Sequence, residues 1–227
     1  MLTVFLPCRK GSQRIPNKNV KDFAGVKGGL LNIKLSQLIK VSKIDKIVVS
    51  SNDERVLEFA NSFDEARIVI DERPDNLGSS ATTTDELINY VPSIINNGDI
   101  LWTHVTSPFI DACDYSDAID TFYNRKKEGF DSLMTVTKLQ GFIWGNNGPI
   151  NYDRTALKWP MTQNIKPLFE VDSGIFIASV NNYRQFGDRI GSNPYLLIQQ
   201  KLKSIDIDWP EDFNLAEKLW VQNCNVN

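Results

Sequence analysis

The chain has 227 residues, which fits one large domain or one domain with a small appendage. At 41% hydrophobic and 23% charged it has an ordinary globular composition, and its net charge of −3 argues against a general nucleic-acid binder. No run approaches the roughly 20 apolar residues that span a bilayer, so no membrane partner is expected.

In chain order, "TVFLP" reads as a buried strand, and it begins so close to Met1 that no secretory leader is expected. A basic loop follows. "GLLNIKLSQLIKVS" carries a helical apolar stripe at Leu31, Leu35, Leu38 and Ile39, and "KIVVSS" is the next strand. "NDERVLEFANSF" predicts a helix capped by Asn52 or Asp53, and "ARIVI" a third strand. "TTTDELINYVPSII" predicts a helix capped by Thr82 or Thr83. "DILWTHV", "DYSDAIDTFYNRKKEG" and "DSLMTVT" give strand, helix and strand. This alternation predicts an α/β fold, a Rossmann-like, mostly parallel sheet with helices on both faces and ligands at the carboxyl ends of its strands. The rhythm breaks over 138–169, a Gly-, Asn- and Pro-rich arm or lid with Trp144 and Trp159 embedded. The sheet is expected to resume at "SGIFIAS" and "LKSIDID" before a last helix, "PEDFNLAEKLWVQN". The whole is one domain, 1–227, with the arm as an insertion.

The basic loop, "CRKGSQRIPNKNVK", gathers Arg9, Lys10, Arg14, Lys18 and Lys21 with no acid before Asp22. Cations and free backbone N–H groups at the end of a strand suit a phosphate cradle. The loop matches neither GxxxxGK[ST] nor GxGxxG, so neither P-loop nor dinucleotide chemistry is indicated. A solvated basic surface is the alternative, and the position at a strand end favours the anion site.

In "SIDIDWPED", Asp206 and Asp208 are two apart on an expected strand, which puts both carboxylates on one face roughly 7 Å apart. Oxygen ligands so placed suit Mg²⁺. Asp208 has a second reading, as the cap of the following helix with Glu211 closing a capping box. His104 is the only histidine, so no His cluster forms, and no GxSxG elbow is present. Cys8, Cys113 and Cys224 are odd in number and far apart, which reads as reduced thiols in a cytoplasm.

"PCRKGSQRIPNKNVKDFAG" resembles the signature "PARxGSxxIPxKN" of the CMP-sugar synthetases, especially the acylneuraminate cytidylyltransferases. "IVVSSNDERVLEFA", "RPDNLGSSATTTDELI", "VTSPF", "QNIKPLFEVDSGIFIAS" and "SIDIDWPEDFNLAE" are similar to further segments of that family, so the likeness runs over about residues 3 to 217. The resemblance implies CMP transfer from CTP to the anomeric hydroxyl of an acidic, sialic-acid-like sugar, with pyrophosphate released, Mg²⁺ as cofactor and a homodimer built through the arm. It implies a place in cell-surface polysaccharide biosynthesis. Carried over by position, Arg9, Lys18 and Asp208 are catalytic. Pro7, Arg9, Ser12, Arg14, Lys18 and Asn19, with Arg73, Thr82 and Thr84 near the cytidine, bind nucleotide. His104, Thr106, Ser107, Gln163 and Asp172 fall on substrate, and Asp206 and Asp208 on the metal.

The departures lie on the sugar side. His104 stands where the family has Gln, Asp172 where it has Asn, and Thr162 where it often has Arg. A family Lys near the start of the arm falls near Trp144–Gly145. Some other cation, such as Lys138, Arg154, Lys158 or Lys166, is then needed for the sugar carboxylate. The alternatives are activation of a different acid, such as a 3-deoxy-octulosonate, or a non-catalytic nucleotide-binding scaffold.

Overall fold

The computed structural model describes residues 1–79 and 81–224, the side chain of Cys224 excepted. Nine strands are present: β1 (Leu2–Pro7), β2 (Lys46–Ser51), β3 (Ile68–Glu72), β4 (Asp99–Thr103), β5 (Ser132–Leu139), β6 (Trp144–Gly145), β7 (Gly148–Pro149), β8 (Leu168–Ser179) and β9 (Pro194–Ile198). Six helices accompany them: α1 (Gly29–Leu38), α2 (Glu54–Asn61), α3 (Thr84–Ile94), α4 (Ala112–Lys126), α5 (Val180–Phe186) and α6 (Pro210–Cys224). Seven strands form one sheet in the order β3-β2-β1-β4-β8-β5-β9. All its pairings are parallel except those of β8, which runs antiparallel to both β4 and β5. The expected mostly parallel α/β sheet is therefore present.

The central strands read as unbroken apolar runs because both their faces are covered. In β1, Val4 and Leu6 face a core built with α1, α2, α4 and α6, including Leu31, Leu35, Val56, Ile119 and Phe213. Phe5 points the other way, into a second core with Ile88 and Val91 of α3, Trp102, Phe176 and Tyr183 of α5. The helices start where short polar side chains can accept from free N–H groups. Asp53 accepts from Arg55 N, and Thr83 forms a capping box with Glu86. Asp111 does the same with Asp114.

Two sequence expectations need correction. "LKSIDID" is not a strand: 201–204 are turns and 205–208 an extended segment outside the ladder. Ile207 N–H makes a single bond to Thr106 O at 2.9 Å, so the alternation of the segment reflects one anchored apolar residue, not a sheet position. The sheet's last strand is instead β9, parallel to β5. The arm is also shorter than 138–169, because β5 and β8 stay paired through Lys138↔Phe169 and Leu139↔Leu168. Between them lie the β6–β7 ribbon and a short turn at Thr162–Asn164.

The β5–β8 ladder breaks once, between Met134 and Val136. Thr135 stands against Asp172, Ser173 and Gly174 in this bulge. Its hydroxyl donates to Asp172 Oδ1 and accepts from Ile175 N–H at 2.9 Å, while Gly174 N–H donates to the same Asp172 oxygen at 2.9 Å. Ser173 sits at φ +59°, a conformation that non-glycine residues rarely adopt. Bulges re-aim side chains beside functional sites, and this one turns Ser173 into a cleft.

Candidate active site

The cleft, of about 480 Å³, opens at the carboxyl ends of β1, β3 and β4. The basic loop forms its centre. Ile15 plugs the loop into the core, Ser51 Oγ donates to Cys8 O, and Asn19 Nδ2 donates to Arg9 O at 3.1 Å. Among the described residues the N–H groups of Gly11 and Ser12 have no protein acceptor, and Gly11 is at φ +74°. Arg9, Ser12, Lys18 and Asn19 all line the cleft, so unpaired donors and cations share one wall.

Lys18 is the link between this loop and the carboxylates. Its Nζ donates to Ile207 O at 2.6 Å and lies 3.4 Å from Asp208 Oδ1. Arg14 lies 3.5 Å from the other Asp208 oxygen and stacks on Trp209, 4.1 Å from the ring centroid. The segment carrying both aspartates is held from behind by Lys203, which pairs with Asp111 and Asp114 at 2.6 and 2.5 Å. Asp208 does not cap α6. Its side chain meets Arg14 and Lys18 instead, while Asp212 in the first turn of α6 reaches back to accept from the N–H groups of Asp208 and Trp209 at 3.1 and 2.8 Å.

Asp206 Oδ1 is buried with no hydrogen-bond partner, and burial raises the carboxyl above its ordinary range, with the Asp208 charge adding to the rise. Thr106 and Lys18 pull the other way. A buried carboxylate oxygen without a donor is costly in a protein alone and suits a cation. The oxygen donors of Asp206 and Asp208 fit a hard divalent cation such as Mg²⁺, which the pair would hold. No group of three or more acidic, His or Cys side chains stands together among the described residues.

On the β3 side, Arg73 is buried and donates to Ser50 Oγ and Ser50 O at 3.0 and 2.6 Å. Pro7, Thr82 and Thr84 line the same region. On the β4 side stand His104, Val105 and Thr106. Burial drives the His104 pKa down to about 3, with Arg189, Lys18 and Lys34 reinforcing the shift. Trp102 Nε1 donates to His104 Nε2 at 3.0 Å, which leaves the neutral ring's proton on Nδ1. His104 is thus a hydrogen-bond donor to the cleft and not a general base.

The sign of that shift gives an expected pH effect. Between about pH 3 and pH 6.5 the unfolded chain binds a proton at His104 that the folded chain refuses, so stability falls as pH drops through this window. His104→Gln is expected to flatten the acid side of the urea-midpoint profile by up to about one proton, roughly 1.4 kcal/mol per pH unit. Identical slopes for the two proteins between pH 6 and 4 would contradict it.

The structure does not bring every expected residue to the cleft. Ser107 is buried, its carbonyl accepting at 2.8 Å from Lys34, whose buried ammonium also meets Ile110 O and Tyr115 Oη. Lys34 thereby fixes the turn after β4. Arg14 stands at the rim, and Gln163 is exposed on the short turn beside Met161. Asp172 is buried as the pin of the bulge. Lys138, Arg154, Lys158 and Lys166 are all off the cleft, and Arg154 packs between Trp144 and Trp159. Leu87, Val105, Ser173 and Arg189 line it without having been foreseen. Only the Asp-Ser-Gly run of "VDSGIF" carried a sign of Ser173. Cys8 is buried with its thiol pushed up to about 12, too high for a nucleophile. Cys113 is free, and the side chain of Cys224 lies outside the described residues.

A family model described as cytidylyltransferase matches residues 3–226. An N-acylneuraminate cytidylyltransferase of Streptococcus agalactiae is 24% identical over 212 residues, covering 92% of this chain and 50% of the relative. The chain thus spans about half the length of that relative. A pseudaminic acid cytidylyltransferase of Campylobacter jejuni is 24% identical over 229 residues, covering 96% and 95% of the two chains. In three dimensions the chain is similar to a CMP:2-keto-3-deoxy-manno-octonic acid synthetase solved with CTP, at a TM-score of 0.68 and 14% identity, covering 98% and 99%. That last likeness concerns the fold.

Proposed function

The chain belongs to the cytidylyltransferase family, and we propose from this that it transfers CMP from CTP to the anomeric hydroxyl of an acidic sugar of the nonulosonate class. The observation that carries the reading is the shared cleft, in which the basic loop and the Asp206/Asp208 pair are joined through Lys18. The relatives named for N-acylneuraminate and pseudaminic acid support an acidic acceptor.

In this reading the anomeric oxygen bonds to the α-phosphorus. The bond from that phosphorus to the oxygen bridging the β-phosphate breaks, pyrophosphate keeps the electron pair, and the hydroxyl proton passes to water. Little covalent work falls to the protein, so positioning and charge stabilisation dominate. Arg9 forks onto phosphate oxygens and the Gly11 and Ser12 N–H groups donate to them. Lys18 offers a point charge beside the α-phosphate. Asp206 and Asp208 would hold a Mg²⁺ that neutralises phosphate charge when bound. Arg73, Thr82 and Thr84 flank the cytidine. The test is pyrophosphate release from CTP and Mg²⁺ with N-acetylneuraminate or pseudaminic acid as acceptor. Release with either supports the reading, and CTP hydrolysis unaffected by any acid would overturn it.

The arm supports a homodimer. Six of the sixteen exposed large apolar side chains among the described residues fall within 142–161, among them Trp144 and Trp159. Such a concentration marks an interaction surface. Light scattering at micromolar protein is expected to give about twice the chain mass, and a monomer would contradict the dimer. No helix of the described residues is long and apolar enough to cross a membrane. Free Cys8 and Cys113 fit a reducing cytoplasm, where a supply of nucleotide sugars for surface polysaccharides would be made.

A further inference from the structure

Among the described residues four cations line the cleft, and three are accounted for by the nucleotide half: Arg9 and Lys18 on the basic loop, and Arg73 fastened to Ser50. The fourth, Arg189, comes from the loop after α5 and stands on the β4–β8 side. We propose that Arg189 is the residue that recognises the carboxylate of the acidic acceptor. This rests on the cytidylyltransferase reading above and names the contact that its sugar half lacks.

The guanidinium lies over Phe176 of β8, 3.7 Å from the ring centroid, and 5.2 Å from the centroid of Trp102 of β4. Stacking occupies its flat face and leaves the in-plane N–H fork for a carboxylate. Among the described residues that fork makes no hydrogen bond and no ion pair. The side chain of Asp188 is turned to the backbone, accepting from Arg189 N–H at 2.6 Å. Arg189 is half-buried, and burial pulls its pKa down, with Tyr183 and Asp188 opposing. A half-buried cation without a paired anion is costly, and an entering anion relieves that cost.

The neighbours fit the same ligand. His104, neutral with its proton on Nδ1, is close enough to feel the Arg189 charge. Ser173 and Thr106 add hydroxyls to the same wall. Ser173 is held at φ +59° by the Thr135–Asp172–Gly174 network, a strained placement of the kind found where a side chain must be aimed. One guanidinium fork with neutral donors around it matches one carboxylate among hydroxyls. The cations expected from the arm lie elsewhere, and Arg189 fills their role from within the same chain.

The test is calorimetric binding of CMP and of CMP-N-acetylneuraminate to the full chain, to Arg189→Gln and to Arg189→Lys. The expected result is that the wild-type protein binds the CMP-sugar about 30-fold or more tighter than CMP. In Arg189→Gln that advantage falls to about threefold or less while CMP affinity stays within about twofold, and Arg189→Lys keeps part of it. Unchanged CMP affinity also shows that the variants fold. An advantage that survives in Arg189→Gln, or is absent from the wild type, overturns the proposal. So does a parallel loss of CMP affinity, which would assign Arg189 to the nucleotide. Wild-type protein that binds neither CMP nor CTP would instead remove the cytidylyltransferase reading itself, and the proposal with it.

Discussion

Replacing Asp208 by asparagine is expected to slow pyrophosphate release by about a thousandfold while moving the thermal midpoint by less than about 2 °C. The two halves of this expectation have different origins. Asp208 is more than half exposed, and its contacts with Arg14 and Lys18 are 3.5 and 3.4 Å long. Exposed pairs of this kind contribute about 0–1 kcal/mol each, so the fold loses little. The start of α6 is untouched, because Asp212 and not the Asp208 carboxylate accepts from the N–H groups that lead into it. The catalytic loss comes from removing half of a two-carboxylate set, and CTP affinity should then lose its Mg²⁺ dependence. Near-normal turnover would reduce Asp208 to a surface partner of Lys18.

Lys18→Ala carries the second large expected effect, a fall of about 10²–10³ in the rate of pyrophosphate release. Lys18 ties the basic loop to the aspartate segment, donating to Ile207 O and facing Asp208, with Arg14 on the other Asp208 oxygen. Its removal deletes a positive charge beside Asp208 and unties the 205–208 segment. Lys18→Arg separates these effects. The fork keeps the charge and can still bond Ile207 O, but it places the charge differently, so only part of the rate should return. A Lys18→Ala rate equal to the wild type would break the assignment of the loop to phosphate.

Much of this was legible in the sequence because the signals were local. Buried parallel strands such as "TVFLP" and "KIVVSS" announce themselves as apolar runs, and Asp53 and Thr83 announce the starts of α2 and α3. The convergence of the basic loop was legible for the same reason: Arg9, Ser12, Lys18 and Asn19 are packed into eleven residues and arrive together in the cleft. What was lost depended on distant partners. "SIDID" alternates like a strand, yet its one ladder-like bond goes to Thr106, and only the fold shows that the neighbouring positions of a sheet are taken. β9, in "NPYLLIQQ", is a short edge run between polar residues and gave no periodic signal. Arg189 stands in a polar stretch, "FGDRIGSNP", that looks like any solvated loop. Its place in the cleft comes from stacking on Phe176 and Trp102, which belong to two different strands. Ser107 and Asp172 failed to reach the cleft for a related reason, since the turn at Lys34 and the bulge at Thr135 turn them inward.

Calorimetric binding of CTP, UTP, GTP and ATP in the presence of Mg²⁺ decides whether the basic loop and the aspartate pair form a CTP site. The expected binding is selective for CTP, is weakened in Arg9→Ala and loses its Mg²⁺ dependence in Asp208→Asn. Tighter binding of a purine nucleotide, or no binding of any of the four, would contradict it.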